Sequence, residues 1–150
     1  MKENILVIIH KLTGGGAERV ISDLSTSLCD KFNVIVLTLN KNEVAYPTKA
    51  EVLCLENECG ALKLFSTIKK IKKIKQKYNI KYSISALTFP NFLNALTRVN
   101  DKLILTIHNN LKYKKHSLLV KLIHKFSCKM ADKIVCVSYG IMKSQIEDFN

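Results

Sequence analysis

The stretch Ile5-Leu6-Val7-Ile8-Ile9-His10-Lys11-Leu12-Thr13-Gly14-Gly15-Gly16-Ala17-Glu18-Arg19-Val20 holds an apolar run, a glycine cluster and the start of an amphipathic segment, in that order. Ile5 to Ile9 is continuously apolar rather than alternating. A strand with that pattern is buried on both faces, as in a parallel sheet. Glycines permit positive φ and let backbone N–H groups approach a ligand closely. From Ala17 to Lys31, Val20, Leu24 and Leu28 recur at helical spacing with Ile21 flanking. Strand, glycine turn and helix together open a βαβ unit.

The same alternation continues along the chain. Strands are expected at Asn33–Leu39, Val52–Leu55, Tyr82–Ala86, Leu103–Ile107 and Lys133–Val137. Helices are expected at Ala61–Tyr78, Pro90–Val99, His116–Met130 and from Gly140 to Phe149, with a polar turn at 40–50 around Pro47. Strands separated by helices imply right-handed crossovers. The expected fold is α/β, a Rossmann-like doubly wound parallel sheet of about six strands with helices on both faces. Its 150 residues suit one domain, 1–150, with a core that needs no disulfide or metal.

Composition narrows the class. Residues are 47% hydrophobic and 24% charged, ordinary for a folded soluble protein. No apolar run approaches the roughly 20 residues that span a bilayer, and Ile5–Ile9 lacks the length and cleavage site of a signal peptide. The five cysteines (Cys29, Cys54, Cys59, Cys128, Cys136) are odd in number and lack C-x-x-C spacing. They read as reduced thiols in the cytosol, not as a zinc site or a disulfide framework. The net charge of +12 concentrates in Lys63–Lys81, with eight lysines and no acid, and Lys112–Lys133, with seven lysines and Asp132. Such a field attracts nucleic acid, anionic lipid or phosphorylated substrates.

In doubly wound sheets ligands sit beyond the carboxyl ends of the strands, near the point where strand order reverses. That singles out His10–Gly16, Leu87–Asn91, His108–Asn110 and Ser138–Gly140. The glycine loop precedes a helix N-terminus, where free N–H groups and the macrodipole favour an anion such as phosphate. It is not a P-loop, since no Gly-Lys-Ser/Thr follows. Nor is it a dinucleotide fingerprint, because Arg19 stands where the third glycine belongs and no acid ends the second strand. A tight turn without ligand is the plain alternative.

Gly15-Gly16-Ala17-Glu18-Arg19-Val20, straight after the first strand, resembles the hallmark loop of GT4-type glycosyltransferases of the GT-B fold. Ile107-His108-Asn109 is similar to that family's T-x-H element. Ala131-Asp132-Lys133-Ile134-Val135-Cys136-Val137-Ser138, followed by Gly140-Ile141, is similar to its AD-x-(hydrophobic)-VS element. The resemblance implies one half of a two-domain enzyme, the N-terminal, acceptor-side half. It implies a retaining transfer without metal from a nucleotide-sugar, a UDP- or GDP-sugar, bound by a C-terminal domain. That domain, with its Glu-x7-Glu element, lies outside residues 1–150, so the chain alone is expected to be inactive.

By the same resemblance Gly14, Gly15 and Gly16 lie beside the donor diphosphate and the acceptor. His108 faces the transferred sugar or an acceptor phosphate, where it donates a hydrogen bond or, protonated, pairs with phosphate. Arg19, Phe89, Asn109 and Ser138 are further substrate-binding candidates. Each has a plain counterpart: a solvated arginine, a phenylalanine packed locally, a loop asparagine and a serine capping the next helix. Glu18 in the first helical turn suits the helix dipole, and His116 and His124 read as surface groups.

On the helix 61–78, Leu64, Ile68, Ile71 and Tyr78 form a core stripe. Lys69, Lys70, Lys72, Lys73, Lys75 and Lys77 surround Ile74 as a solvated face, or as a surface for an anionic membrane; Lys112, Lys114, Lys115 and Lys121 extend it. With the resemblance, this points to a lipid-linked or oligosaccharide acceptor in bacterial polysaccharide or glycolipid synthesis, at the inner face of the cytoplasmic membrane. A non-catalytic scaffold domain is the alternative. A nucleic-acid module fits less well: Phe65 and Tyr78 are sparse among the lysines and read as partly buried, leaving little for base stacking.

Overall fold

A computed structural model of the chain describes residues 2–40, 45–55, 61–109 and 117–149. The sequence readings on Cys59, Asn110, Lys112, Lys114, Lys115 and His116 lie outside the described residues. The elements are β1 (Asn4–Ile9), α1 (Gly16–Leu28), β2 (Asn33–Thr38), β3 (Glu51–Cys54), α2 (Ala61–Lys77), β4 (Ile80–Ala86), α3 (Thr88–Leu96), β5 (Lys102–Ile107), α4 (Leu118–Met130), β6 (Lys133–Cys136) and α5 (Tyr139–Phe149).

The six strands form one parallel sheet in the order β3-β2-β1-β4-β5-β6. The chain builds outward from β1 to β3, then crosses back to lay β4 on the other side of β1. Strand order therefore reverses between β1 and β4, which opens a crevice at their carboxyl ends.

β1 explains its own composition. Ile5, Val7 and Ile9 join one apolar layer with Val34, Val36, Ile84 and α1's Ile21. Leu6 and Ile8 point the other way, into a layer with Ile35, Leu37, Leu93 and α2's Ile71. A strand covered on both faces has no polar positions to alternate with. Burying each such aliphatic side chain contributes roughly 1.5–3 kcal/mol. α3 begins at Thr88, two residues before Pro90, so the proline sits in the first turn, where its missing N–H costs no helical bond.

Three sequence expectations fail on α2. Lys75 is not on the solvated face of α2. It is 1% exposed, and its Nζ lies 2.7 Å from Asp101 Oδ2 and 2.7 Å from Asn94 Oδ1. Burial pushes the Asp101 carboxyl up, but the Lys75 charge, with hydrogen bonds from Lys75, Ser83 and the Val99 amide, holds it below its ordinary value. Ile74 packs against the core instead of lying among the lysines. Phe65 is 76% exposed rather than partly buried.

On α4, Leu119, Leu122 and Phe126 are exposed, and the helix turns His124, Ser127 and Cys128 inward. His124 is thus no surface group; it is buried, with Nε2 2.7 Å from Gln145 Oε1 of α5. β6, expected to be buried on both faces, is an edge strand with Ile134 and Val135 exposed.

Candidate functional site

The crevice between β1 and β4 is walled by the loop after β1, the start of α3 and the end of β5. Gly14 has φ +78, a left-handed conformation that favours glycine. Gly15 is the N-cap of α1 and brings no capping side chain. Glu18, in the first helical turn, folds its carboxylate back onto it. A Cβ at Gly15 would lie 2.1 Å from Glu18 Oε2, so the carboxylate holds this place only while residue 15 has no side chain. Gly16 and Gly14 face open space.

Glu18 is buried, although it carries a charge. Its negative field reaches two imidazoles, His10 and His108. Burial holds both rings below the usual histidine value, and Glu18 partly offsets that; Lys11 lowers His10 further. The His10 ring stacks on Phe89, with centroids 5.6 Å apart and planes 14° from parallel. This contact ties the β1 loop to the first turn of α3 across the switch point. Leu87, directly after β4, has φ 75 and ψ 156, a strained conformation for a residue with a side chain. Strain of this kind costs about 1–3 kcal/mol and concentrates at functional sites.

His108 lies just past β5, with Nε2 3.0 Å from Thr106 Oγ1. It shares a small pocket with Asn109, Thr88, Asn91 and His124. Asn91 is buried and donates through Nδ2 to the Thr106 carbonyl at 3.2 Å, while its Oδ1 has no partner among the described residues. Behind the pocket, burial and then Cys136 push the Cys128 thiol up to about 11, so it is no thiolate near neutrality.

The structure thus gathers Gly14, Gly15, Gly16, Phe89, His108 and Asn109 around the carboxyl ends of β1, β4 and β5. Arg19 is exposed on the first turn of α1. Ser138 follows the edge strand β6, away from the glycine loop, and accepts from the Ile141 amide at 3.3 Å, the plain capping role. Lys69, Lys70, Lys72, Lys73 and Lys77 are exposed on the outward face of α2. Sequence reasoning missed three residues of the site. His10 and Asn91 stood in the right loops, but nothing marked their contacts. Thr106 read as one more strand residue. Among the described residues no group of three His, Cys, Asp or Glu side chains is placed to hold a metal. No helix among them is long and apolar enough to cross a membrane.

A six-stranded parallel sheet in this order, with helices on both faces, is the Rossmann-like half of a GT-B fold. The model of Glycosyltransferase Family 4 matches residues 14–150, and the chain belongs to that family. The fold is shared with UDP-N-acetylglucosamine 2-epimerase from Rickettsia bellii at TM-score 0.76 and 9% identity, over 99% of this chain and 42% of that one. Sucrose-phosphate synthase from Thermosynechococcus elongatus aligns at TM-score 0.65 and 16% identity, over 89% of this chain and 42% of that one. A glycosyltransferase from Rickettsia africae aligns at TM-score 0.65 and 20% identity, over 97% and 39%. The chain spans less than half the length of these structures, and at such identities they speak for the fold alone. No curated protein sequence matches it.

Proposed function

We propose that residues 1–150 form the acceptor-side domain of a retaining, metal-independent glycosyltransferase. A UDP- or GDP-sugar held by a second, C-terminal domain donates its sugar to a hydroxyl of a lipid-linked or oligosaccharide acceptor. The chain alone is inactive in this reading, because it lacks the donor pocket. The observation that carries it is the placing of Gly14–Gly16 and His108 at the carboxyl ends of β1 and β5, on the two sides of β4, with Glu18 of the glycine-loop helix acting on His108, in a member of this family. The glycine amides and the N-terminus of α1 suit a diphosphate approaching from a facing domain.

The outward face of α2 supports a membrane-bound acceptor. Five exposed lysines share it with Phe65, whose ring stands free at the end of the helix nearest the crevice. Each lysine near an anionic surface contributes about 1 kcal/mol, and an apolar ring adds insertion at the interface. The surface intended is the inner face of a bacterial cytoplasmic membrane, not a nucleic acid.

Two experiments test these readings. The reading frame beyond the codon for Asn150 is expected to encode a second βα-rich domain with Glu-x7-Glu. The protein carrying both domains is expected to transfer sugar from UDP- or GDP-sugars, and His108→Ala to lose most of the rate. Absence of transfer with every donor, or full activity in His108→Ala, defeats the assignment. Sedimentation with vesicles is expected to show salt-sensitive binding to anionic but not zwitterionic lipid, weakened by Phe65→Ser.

A further inference from the structure

Thr106 and His108 are two residues apart at the end of β5, so their side chains fall on one side of the strand. Thr106 Oγ1 lies 3.0 Å from the Ser85 carbonyl oxygen and 3.0 Å from His108 Nε2. A carbonyl has no proton to give, so Thr106 donates its only one to Ser85. Its oxygen then meets His108 as an acceptor, and Nε2 must carry the hydrogen. In a neutral imidazole that leaves Nδ1 bare. We propose that Thr106 is a positioning residue that fixes His108 as the Nε2–H tautomer and thereby makes Nδ1 a hydrogen-bond acceptor for a hydroxyl.

A second observation in the same pocket points the same way. Among the described residues, buried Asn91 Oδ1 has no donor. Turning the amide over would bring this oxygen against the Thr106 carbonyl, which Nδ2 now satisfies at 3.2 Å, so the orientation is set by its partner. One pocket therefore holds His108 and an unfilled carbonyl oxygen. Such a pocket takes a proton donor, an alcohol or a water, and disfavours a phosphodiester or diphosphate ester, whose ionised oxygens only accept. The groups around His108 agree. Glu18 on α1 faces it as a negative charge, and His10 beside the β1 loop and His124 on α4 are the other titratable side chains near it. Burial disfavours the charged form of the His108 ring. The family resemblance implies a donor or a phosphate partner; the hydrogen-bond geometry assigns the opposite polarity.

The tautomer is a property of this chain, whereas the identity of the hydroxyl as the acceptor's rests on the transferase reading. Imidazole 15N NMR on the chain above the histidine transition separates them. The wild type is expected to show a protonated Nε2 and an unprotonated Nδ1 at His108. Thr106→Val, which keeps the shape and removes the oxygen, is expected to mix the tautomers and move both resonances; Thr106→Ser restores them. Dimethyl phosphate, an ionised diester without an O–H, is expected to leave the Nδ1 resonance in place. A wild-type proton on Nδ1, an unchanged spectrum in Thr106→Val, or a shift of Nδ1 induced by dimethyl phosphate overturns the proposal. If Thr106→Val does not fold, the wild-type spectrum decides alone. An absence of sugar transfer alters none of these spectra, so the two readings fail separately.

Discussion

The two flanks of the sheet are finished differently. On the β1–β2 side, α1 and α2 cover opposite faces, and Leu6, Val7, Ile8, Val36 and Leu37 are all fully buried. On the β6 side, Ile134 and Val135 of the strand and Leu118, Leu119 and Leu122 of α4 stand 41–74% exposed. The sequence is about equally apolar in both places. Periodicity thus tells which face of an element is apolar, but not whether the same 150 residues cover it.

The sharpest test of that contrast uses charge. Lys75 belongs to the covered flank, and removing one partner of a buried ion pair costs about 3–5 kcal/mol, because the other charge stays buried and unpaired. Lys75→Met is expected to lose that much in urea unfolding, and Lys75→Met with Asp101→Asn to recover part of it. Lys72→Met, on the same helix but exposed, is expected within about 0.5 kcal/mol of the parent. Equal effects at Lys72 and Lys75 would mean that Lys75 is solvated in solution.

Truncation tests the apolar half of the comparison. Ile71→Ala opens a cavity in the covered flank and is expected to cost about 2–5 kcal/mol. Leu122→Ala, 57% exposed, is expected to change stability by less than about 0.5 kcal/mol. A large loss at Leu122 would show that α4's apolar stripe is covered in solution, by a second copy or by residues outside those described.

The same contrast explains what could be read in advance. The alternation of elements, the parallel sheet and the glycine loop were legible because each is local: a run, a period or a turn signal. His108 was legible because it directly follows a strand. Lys75 was not, since its burial depends on Asp101 and Asn94, twenty-six and nineteen residues away in sequence. The inward turn of His124 depends likewise on Gln145, twenty-one residues on. Glu18 was legible as a first-turn acid but not as the neighbour of two histidines, which the crossing from β1 to β5 brings together.

That grouping predicts the effect of Gly15→Ala. The added Cβ claims the space of the Glu18 carboxylate, the far end of a flexible side chain, so the acid swings away at small cost to stability. Glu18 raises the proton affinity of His10 and His108, and its departure is expected to lower both histidine midpoints in an NMR titration. Unchanged midpoints would mean that Glu18 does not hold its place over Gly15.

The smallest expected effect is the pH dependence of stability. His10 and His108 are held neutral mainly by burial, so their folded values lie below the unfolded value of about 6.5. Above that value neither state binds the protons, and this contribution is fully present. Below it the unfolded chain takes up protons that the folded chain refuses, so stability falls as pH drops through the folded values. Urea midpoints between about pH 7.5 and 5 are expected to fall more steeply for the parent than for His10→Gln with His108→Gln. A parent curve that is flat, or that rises on acidification, would mean that Glu18 outweighs burial and that the two rings are charged in the crevice. In that case the glycine-loop end of the sheet would present a cationic site, suited to a phosphate rather than a hydroxyl.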